Sequence, residues 1–480
     1  MRNSTVRSLM SILSRFVFLP AALLLTWPAF YNRYPLLFPD SLSYIESGPR
    51  VGGAFFHHQA SHYYGVRSFI YALGIMPFHW RAVLWPVIAL QAVLTAYVLW
   101  LVVRSLTRSS DFRRTVMTYY AIMLPLALLT GLSWTTSIVM PDILGALLYL
   151  AVYVLVFAPE SLSRPQRTLL ILIAWWSAAA HITHIMLALG LLIFLLAALF
   201  LVRAVTRRRL SGLAISAIIL VAAVLSHMAV HQVLYGKPTL NGKRPAYLTA
   251  RLLADGTGRL YLQQHCPQAN FATCEFVQSL PTTPDDFLWD ANGIWQTSSP
   301  EKQSRILREE SPFARTVIGA YPRQQLAISL GAFFHQLTRF DISNDANPWL
   351  AQKVEVGLPG QLPAYERSRQ AQDTLPSDVL STIQNWTVGA ALLILCSLAP
   401  FLWRRCPARL MGLAAIIFAI LLGNAFVTGV LSEVDDRYQD RVIWLLPLLA
   451  ALAIVELLTQ RHAHRAEPAP EPVAVPVTTR

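Results

Sequence analysis

Two carboxylates stand out because each directly follows a proline in or beside strongly apolar sequence: Asp40 in Phe38-Pro39-Asp40-Ser41 and Asp142 in Met140-Pro141-Asp142. A carboxylate so placed can take a proton from a reacting hydroxyl, orient a cation, or cap a helix by accepting main-chain amides. Groups suited to anions or metals recur nearby. His57, His58 and His62 cluster in one segment, and His181 and His184 lie three apart, on one helical face. Histidines at this spacing can bind a divalent ion or hydrogen-bond a phosphate, and they also occur as plain interface residues. Arg437 and Arg441 flank Tyr438 in Asp435-Asp436-Arg437-Tyr438-Gln439-Asp440-Arg441. A guanidinium matches a phosphate with two parallel donors; the alternative pairs these arginines with Asp435, Asp436 and Asp440.

The elements that must position these groups are membrane spans. The chain of 480 residues is 55% hydrophobic and 14% charged. A soluble chain carries about a quarter charged residues. Mean hydropathy is +0.45. Many stretches reach the ~20 apolar residues that cross hydrocarbon, and they are continuous rather than alternating, which excludes a barrel. The expected fold is an all-α polytopic membrane protein with about ten transmembrane helices, near residues 14–31, 82–103, 115–133, 137–157, 168–183, 185–202, 211–234, 384–403, 409–430 and 441–459. The fifth and sixth share one apolar block and have a second reading, one long helix plus a re-entrant piece. Asp142 then falls inside the fourth span, about 9 Å below its outer end at ~1.5 Å per residue. An ionisable group at that depth faces the bundle interior or a wet cavity.

Lysine and arginine set the orientation. Segments 1–15, 104–114, 158–167, 203–210, 404–409 and 461–480 hold 19 Lys+Arg against 4 Asp+Glu, whereas 235–383 holds 14 of each. Both termini are therefore expected in the cytoplasm and the large loop in the periplasm of a bacterial inner membrane. The formal net charge of +13 then needs no nucleic acid. Arg203, Arg207, Arg208 and Arg209 are expected to anchor on anionic membrane lipids.

The expected organisation is an N-terminal block 1–234 of about seven spans with a first outer loop 32–81, a mixed, mainly helical periplasmic domain 235–383 inserted between the seventh and eighth spans, a C-terminal block 384–460 of three spans, and a disordered cytoplasmic tail 461–480. The stretch near 311–340 reads as amphipathic and suited to resting on a bilayer. Cys266 and Cys274, with seven residues between them, are candidates for a disulfide in an oxidising compartment, while Cys396 and Cys406 are expected to stay reduced. No second Cys or His pair accompanies the first at zinc-ligand spacing. A divalent cation held by Asp40, Asp142 and a histidine stays open.

This pattern resembles the GT-C superfamily of integral membrane glycosyltransferases, which use polyprenyl-phosphate sugars. The resemblance rests on Phe38-Pro39-Asp40-Ser41 with Tyr44 after the first span, on Pro141-Asp142 opening a later span, and on Arg437-Tyr438 before a final span containing Pro447. Ser41 stands where many members carry a second acid. The resemblance implies an inverting transfer from a polyprenyl-phosphate-linked sugar donor to a glycan or lipid acceptor. Asp40 would be the general base, and Asp142 a second catalytic residue that positions the acceptor or a cation. Tyr44, His57, His58, His62, His181, His184, Arg437, Tyr438 and Arg441 would bind substrate. The inserted domain is also similar in placement to that of the O-antigen polymerases and ligases. A flippase or transporter of lipid-linked substrate is the alternative from another class.

Overall fold

The computed structural model describes residues 16–57, 67–107, 111–240, 242, 244–343, 348–405 and 407–466. These residues form an all-helical protein with no strand among them; one isolated bridge pairs Leu36 with Ile138. Six segments are long and apolar enough to cross a membrane: Trp85–Leu106, Ile182–Leu201, Arg207–Tyr235, Ser377–Pro400, Ala408–Leu431 and Asp436–Gln460.

The other expected spans appear as shorter or broken pieces. The first breaks at Thr26 into Leu19–Leu25 and Trp27–Asn32. Each piece has Pro in its first turn, a position that needs no intrahelical N–H. The third is Phe112–Leu129, capped by Asp111, whose carboxylate accepts the Arg113 N–H at 2.9 Å. The fifth and sixth are two helices, Arg164–Ala179 and Ile182–Leu201, parted at Ala180–His181.

The fourth departs most from expectation. Its helix is Asp142–Phe157, preceded by a short helix Leu132–Ser137 and an irregular stretch through Pro141. The break falls at Pro141, which has no N–H to donate and disfavours helical geometry in the residue before it. Asp142 is therefore the first residue of its helix rather than a residue ~9 Å along it. Fifteen of the 16 residues of that helix are buried. It packs against Trp85–Leu106, Arg164–Ala179, Arg207–Tyr235 and Ala408–Leu431. A helix apolar on every side belongs at the centre of a bundle, and this one is there.

Residues 246–317 have a core of their own, built on Leu253, Leu262, Phe287, Ile306, Phe313 and Val317. Cys266 and Cys274 form a disulfide beside it. Leu350, Val354, Leu358 and Tyr365, farther along the same insertion, join the core of the bundle instead. Helix Pro322–Thr338 lies against Ala408–Leu431 and exposes Leu326, Leu330 and Phe334 on its free side. Cys396 is free and exposed, whereas Cys406 and the tail beyond Ala466 lie outside the described residues.

Candidate functional site

Asp40 and Asp142 are placed by the same device. Leu36 N–H donates to Ser137 O at 3.0 Å, and Val139 N–H donates to Leu36 O at 3.1 Å. This bridge fixes Leu36 beside Ile138, and each aspartate follows four residues later. Buried glutamines hold both sides of it. Gln370 spans Leu37: its Oε1 accepts the Leu37 N–H at 3.0 Å and its Nε2 donates to Leu37 O at 2.7 Å. Gln91, inside the span Trp85–Leu106, donates through Nε2 to Thr136 O and Ile138 O, both at 2.8 Å. Those carbonyls lose helical partners where the fourth span breaks, and a buried carbonyl must be matched. Tyr71 donates its hydroxyl to Gln91 Oε1 at 2.7 Å.

A cavity of about 340 Å³ opens where these segments meet. Its lining includes Asp40, Asp142, His181, His184, Arg437, Tyr438 and Arg441, which are widely spaced in sequence. Arg67, Arg244, Tyr247, His227 and His231 also line it and were not foreseen. The lining thus holds four arginines against two aspartates.

Arg441 Nη1 donates to Asp142 Oδ1 at 3.2 Å and its Nη2 to Asn424 Oδ1 at 2.8 Å. Asn424 in turn donates to Tyr438 O at 2.6 Å and Gln439 Oε1 at 2.9 Å, fixing the short helix Asp436–Ile443 that carries both arginines. Arg437 approaches Asp142 Oδ2 only to 3.9 Å. Its guanidinium lies 3.9 Å from the centre of the Phe38 ring and 5.1 Å from that of Tyr438. Its Nε and Nη1 are buried with no hydrogen-bond acceptor among the described residues.

The arginines therefore turn to Asp142, not to their neighbouring acids. Asp435 caps its helix by accepting the Arg437 N–H at 2.9 Å, and Asp436 pairs with Arg339 at 2.5 Å. Asp440 is buried outside the cavity lining and accepts from Gln384 Nε2 at 2.8 Å and Thr135 Oγ1 at 3.1 Å.

Asp40 Oδ1 accepts from Arg67 Nη2 at 2.5 Å. Burial lowers the Arg67 pKa, the Asp40 carboxylate raises it, and the net direction is up. The inserted segments close in from above. Arg67 lies 6.0 Å from the Trp289 ring, and Lys353 Nζ donates to Pro39 O at 3.4 Å. Burial pushes the Tyr247 phenol up to about 12, so its hydroxyl remains a neutral donor.

Tyr44 is not at the cavity. It is fully buried one helical turn beyond Asp40, edge-on to Tyr71 at 5.0 Å, because its position in Ser41–His57 turns it into the core. His57 ends that helix, but its side chain, like all of His58 and His62, lies outside the described residues. Among the described residues no group of three His, Cys, Asp or Glu is arranged to hold a metal ion, so Asp40, Asp142 and a histidine do not form a ready cation site.

Of the residues that sequence reasoning missed, Arg67 and Arg244 carried a signal: both are arginines in segments expected to be poor in them. His227 and His231 share a helical face at four-residue spacing near the end of Arg207–Tyr235. Compared with family models, curated proteins and solved structures, the chain matches none.

Proposed function

We propose that this chain is a membrane glycosyltransferase of the GT-C kind, moving a sugar from a polyprenyl-phosphate donor to a glycan or lipid acceptor with inversion. The observation that carries the reading is Arg437. A guanidinium close to two aromatic rings, with unmatched N–H groups beside a cavity, is suited to an anionic ligand. Four arginines against two aspartates give the lining the same preference. Apolar neighbours in the lining, among them Ile182, Met186, Val427 and Leu431, suit a substrate with a lipid portion.

In the proposed reaction the acceptor hydroxyl oxygen attacks the sugar C1 and its proton passes to Asp40. The bond from C1 to the phosphate oxygen breaks, and its electron pair stays on the lipid phosphate. Arg437 and Arg441 stabilise the charge that grows there. Asp142 holds Arg441 in place, buried with it at 3.2 Å. Asp40, whose side chain is 15% exposed at the cavity, takes the proton in this reading.

The test is incubation of purified protein with a labelled polyprenyl-phosphate sugar and an acceptor extract. Release of lipid phosphate that is lost in Asp40→Asn supports the transfer. Leaflet exchange of intact donor without cleavage would instead favour a flippase.

A further inference from the structure

His181 caps the helix Ile182–Leu201. Its Nδ1 accepts the Thr183 main-chain N–H at 3.2 Å and lies 2.7 Å from Thr183 Oγ1. A main-chain amide can only donate, so this Nδ1 presents a lone pair. A neutral imidazole then carries its proton on Nε2. A second proton, on Nδ1, would face the Thr183 N–H directly. The positive end of a 20-residue helix opposes the cationic form as well.

His184 has the opposite arrangement. Its Nδ1 lies 2.8 Å from Ser177 O, which can only accept, so that nitrogen carries the proton. Its Nε2 is buried against Gly145, where an added Cβ would come within 2.9 Å. Two neighbouring histidines with ring centres 5.6 Å apart thus have different hydrogen-bonding characters. His184 is a packed, structural group. His181 is partly exposed in the cavity lining with Asp142 and Arg441, and Nε2 is its remaining polar ring atom.

We propose that His181, locked by Thr183 as the Nε2–H tautomer, donates a hydrogen bond to an oxygen of the substrate's phosphate ester. This inference rests on the lipid-phosphate reading above. No proton is transferred: as the C1–O bond breaks and its electron pair moves to the phosphate, the Nε2–H···O bond strengthens. A neutral donor aimed at developing charge needs no change of protonation state during turnover.

The test uses full-length protein with 15N-labelled histidine in lipid nanodiscs, titrated with a short-chain polyprenyl phosphate. His181 is assigned by its absence from His181→Gln. The expected spectrum shows the proton on Nε2, and that resonance moves as ligand is added. A proton on Nδ1, or a resonance unmoved at saturating ligand, overturns the proposal. With a labelled sugar donor, His181→Ala should lower kcat about 10²–10³-fold, the loss seen for one oxyanion donor elsewhere. His181→Gln, whose amide reaches the place of Nε2, should recover at least about tenfold of that loss, whereas His181→Asn should not. Undiminished turnover in His181→Ala also overturns it. If the wild-type protein cleaves no donor yet the ligand moves the His181 resonance, the glycosyl-transfer reading fails and the phosphate donor stands.

Discussion

Asp40 and Asp142 flank one cavity, yet their surroundings are opposites. Asp142 opens a helix buried at 15 of its 16 residues and is matched from inside the bundle, by Arg441 at 3.2 Å with Arg437 beyond at 3.9 Å. Asp40 begins a loop helix and is held from outside the bundle. Its partner Arg67 is 26% exposed, and Gln370 and Lys353, from the far end of the insertion, bond the backbone of Leu37 and Pro39 just before it. The difference separates two tasks. A carboxylate buried with arginines fixes their geometry. A carboxylate at the more exposed edge of the cavity faces the place where a substrate hydroxyl would enter.

This contrast breaks first if Asp40 is tested for chemistry and stability together. Asp40→Asn should lower transfer by about 10²–10⁴-fold. It should shift unfolding by less than about 1 kcal/mol, because a partly exposed ion pair contributes little. Turnover with labelled donor and thermal unfolding of the solubilised protein read the two quantities. Asp142→Asn should do the reverse in stability. It leaves Arg441, 5% exposed, without its carboxylate, at a cost of about 3–5 kcal/mol by thermal unfolding. The double variant with Arg441→Met should regain most of that stability and remain inactive. If Asp142→Asn unfolds no earlier than Asp40→Asn, the two acids are not distinguished in the way described.

Gln91→Leu sharpens the comparison from the inner side. It removes the donor to Thr136 O and Ile138 O and the acceptor of the Tyr71 hydroxyl. A loss of about 1–3 kcal/mol is expected by thermal unfolding. The smallest effect is expected at Glu433, on the outer edge. Burial and the nearby Asp285 and Asp435 push its carboxyl up to about 7 from 4.5. Folding therefore takes up a proton there between those values. Its contribution is fully present below pH ~4.5 and is lost as pH rises through about 7. The protection of amides at Tyr247–Ala254, whose Arg251 donates to Ser432 O at 3.0 Å, taken as the exchange rate relative to that of the unfolded chain at the same pH, should fall from pH 5 to pH 8. Glu433→Gln should flatten that response.

How far the sequence reveals this arrangement depends on range. Apolar runs and basic flanks are local signals. They mark the helices Trp85–Leu106, Arg207–Tyr235 and Ala408–Leu431 closely, because composition alone decides whether a segment tolerates lipid. The same signals misplace the start of the Asp142 helix. An apolar window cannot register that Pro141 ends one element and opens another, or that Gln91, 50 residues earlier, supplies the missing donor. Arg437 and Arg441 are visible as arginines in a loop expected to be poor in them, but not their turn away from Asp435 and Asp436 toward a carboxylate 299 residues before Arg441. Tyr44 shows the converse. Its place one turn after Asp40 suggested the cavity, whereas its ring is fully buried in the core, edge-on to Tyr71.

The most direct measurement is a cryo-EM map of the full-length protein in nanodiscs with a short-chain polyprenyl phosphate bound. The phosphate should sit within hydrogen-bond reach of Arg437, between Asp40 and Asp142. Phosphate density remote from Arg437, or an Arg437 side chain directed into lipid, would contradict the shared anionic cavity on which the proposed activity depends.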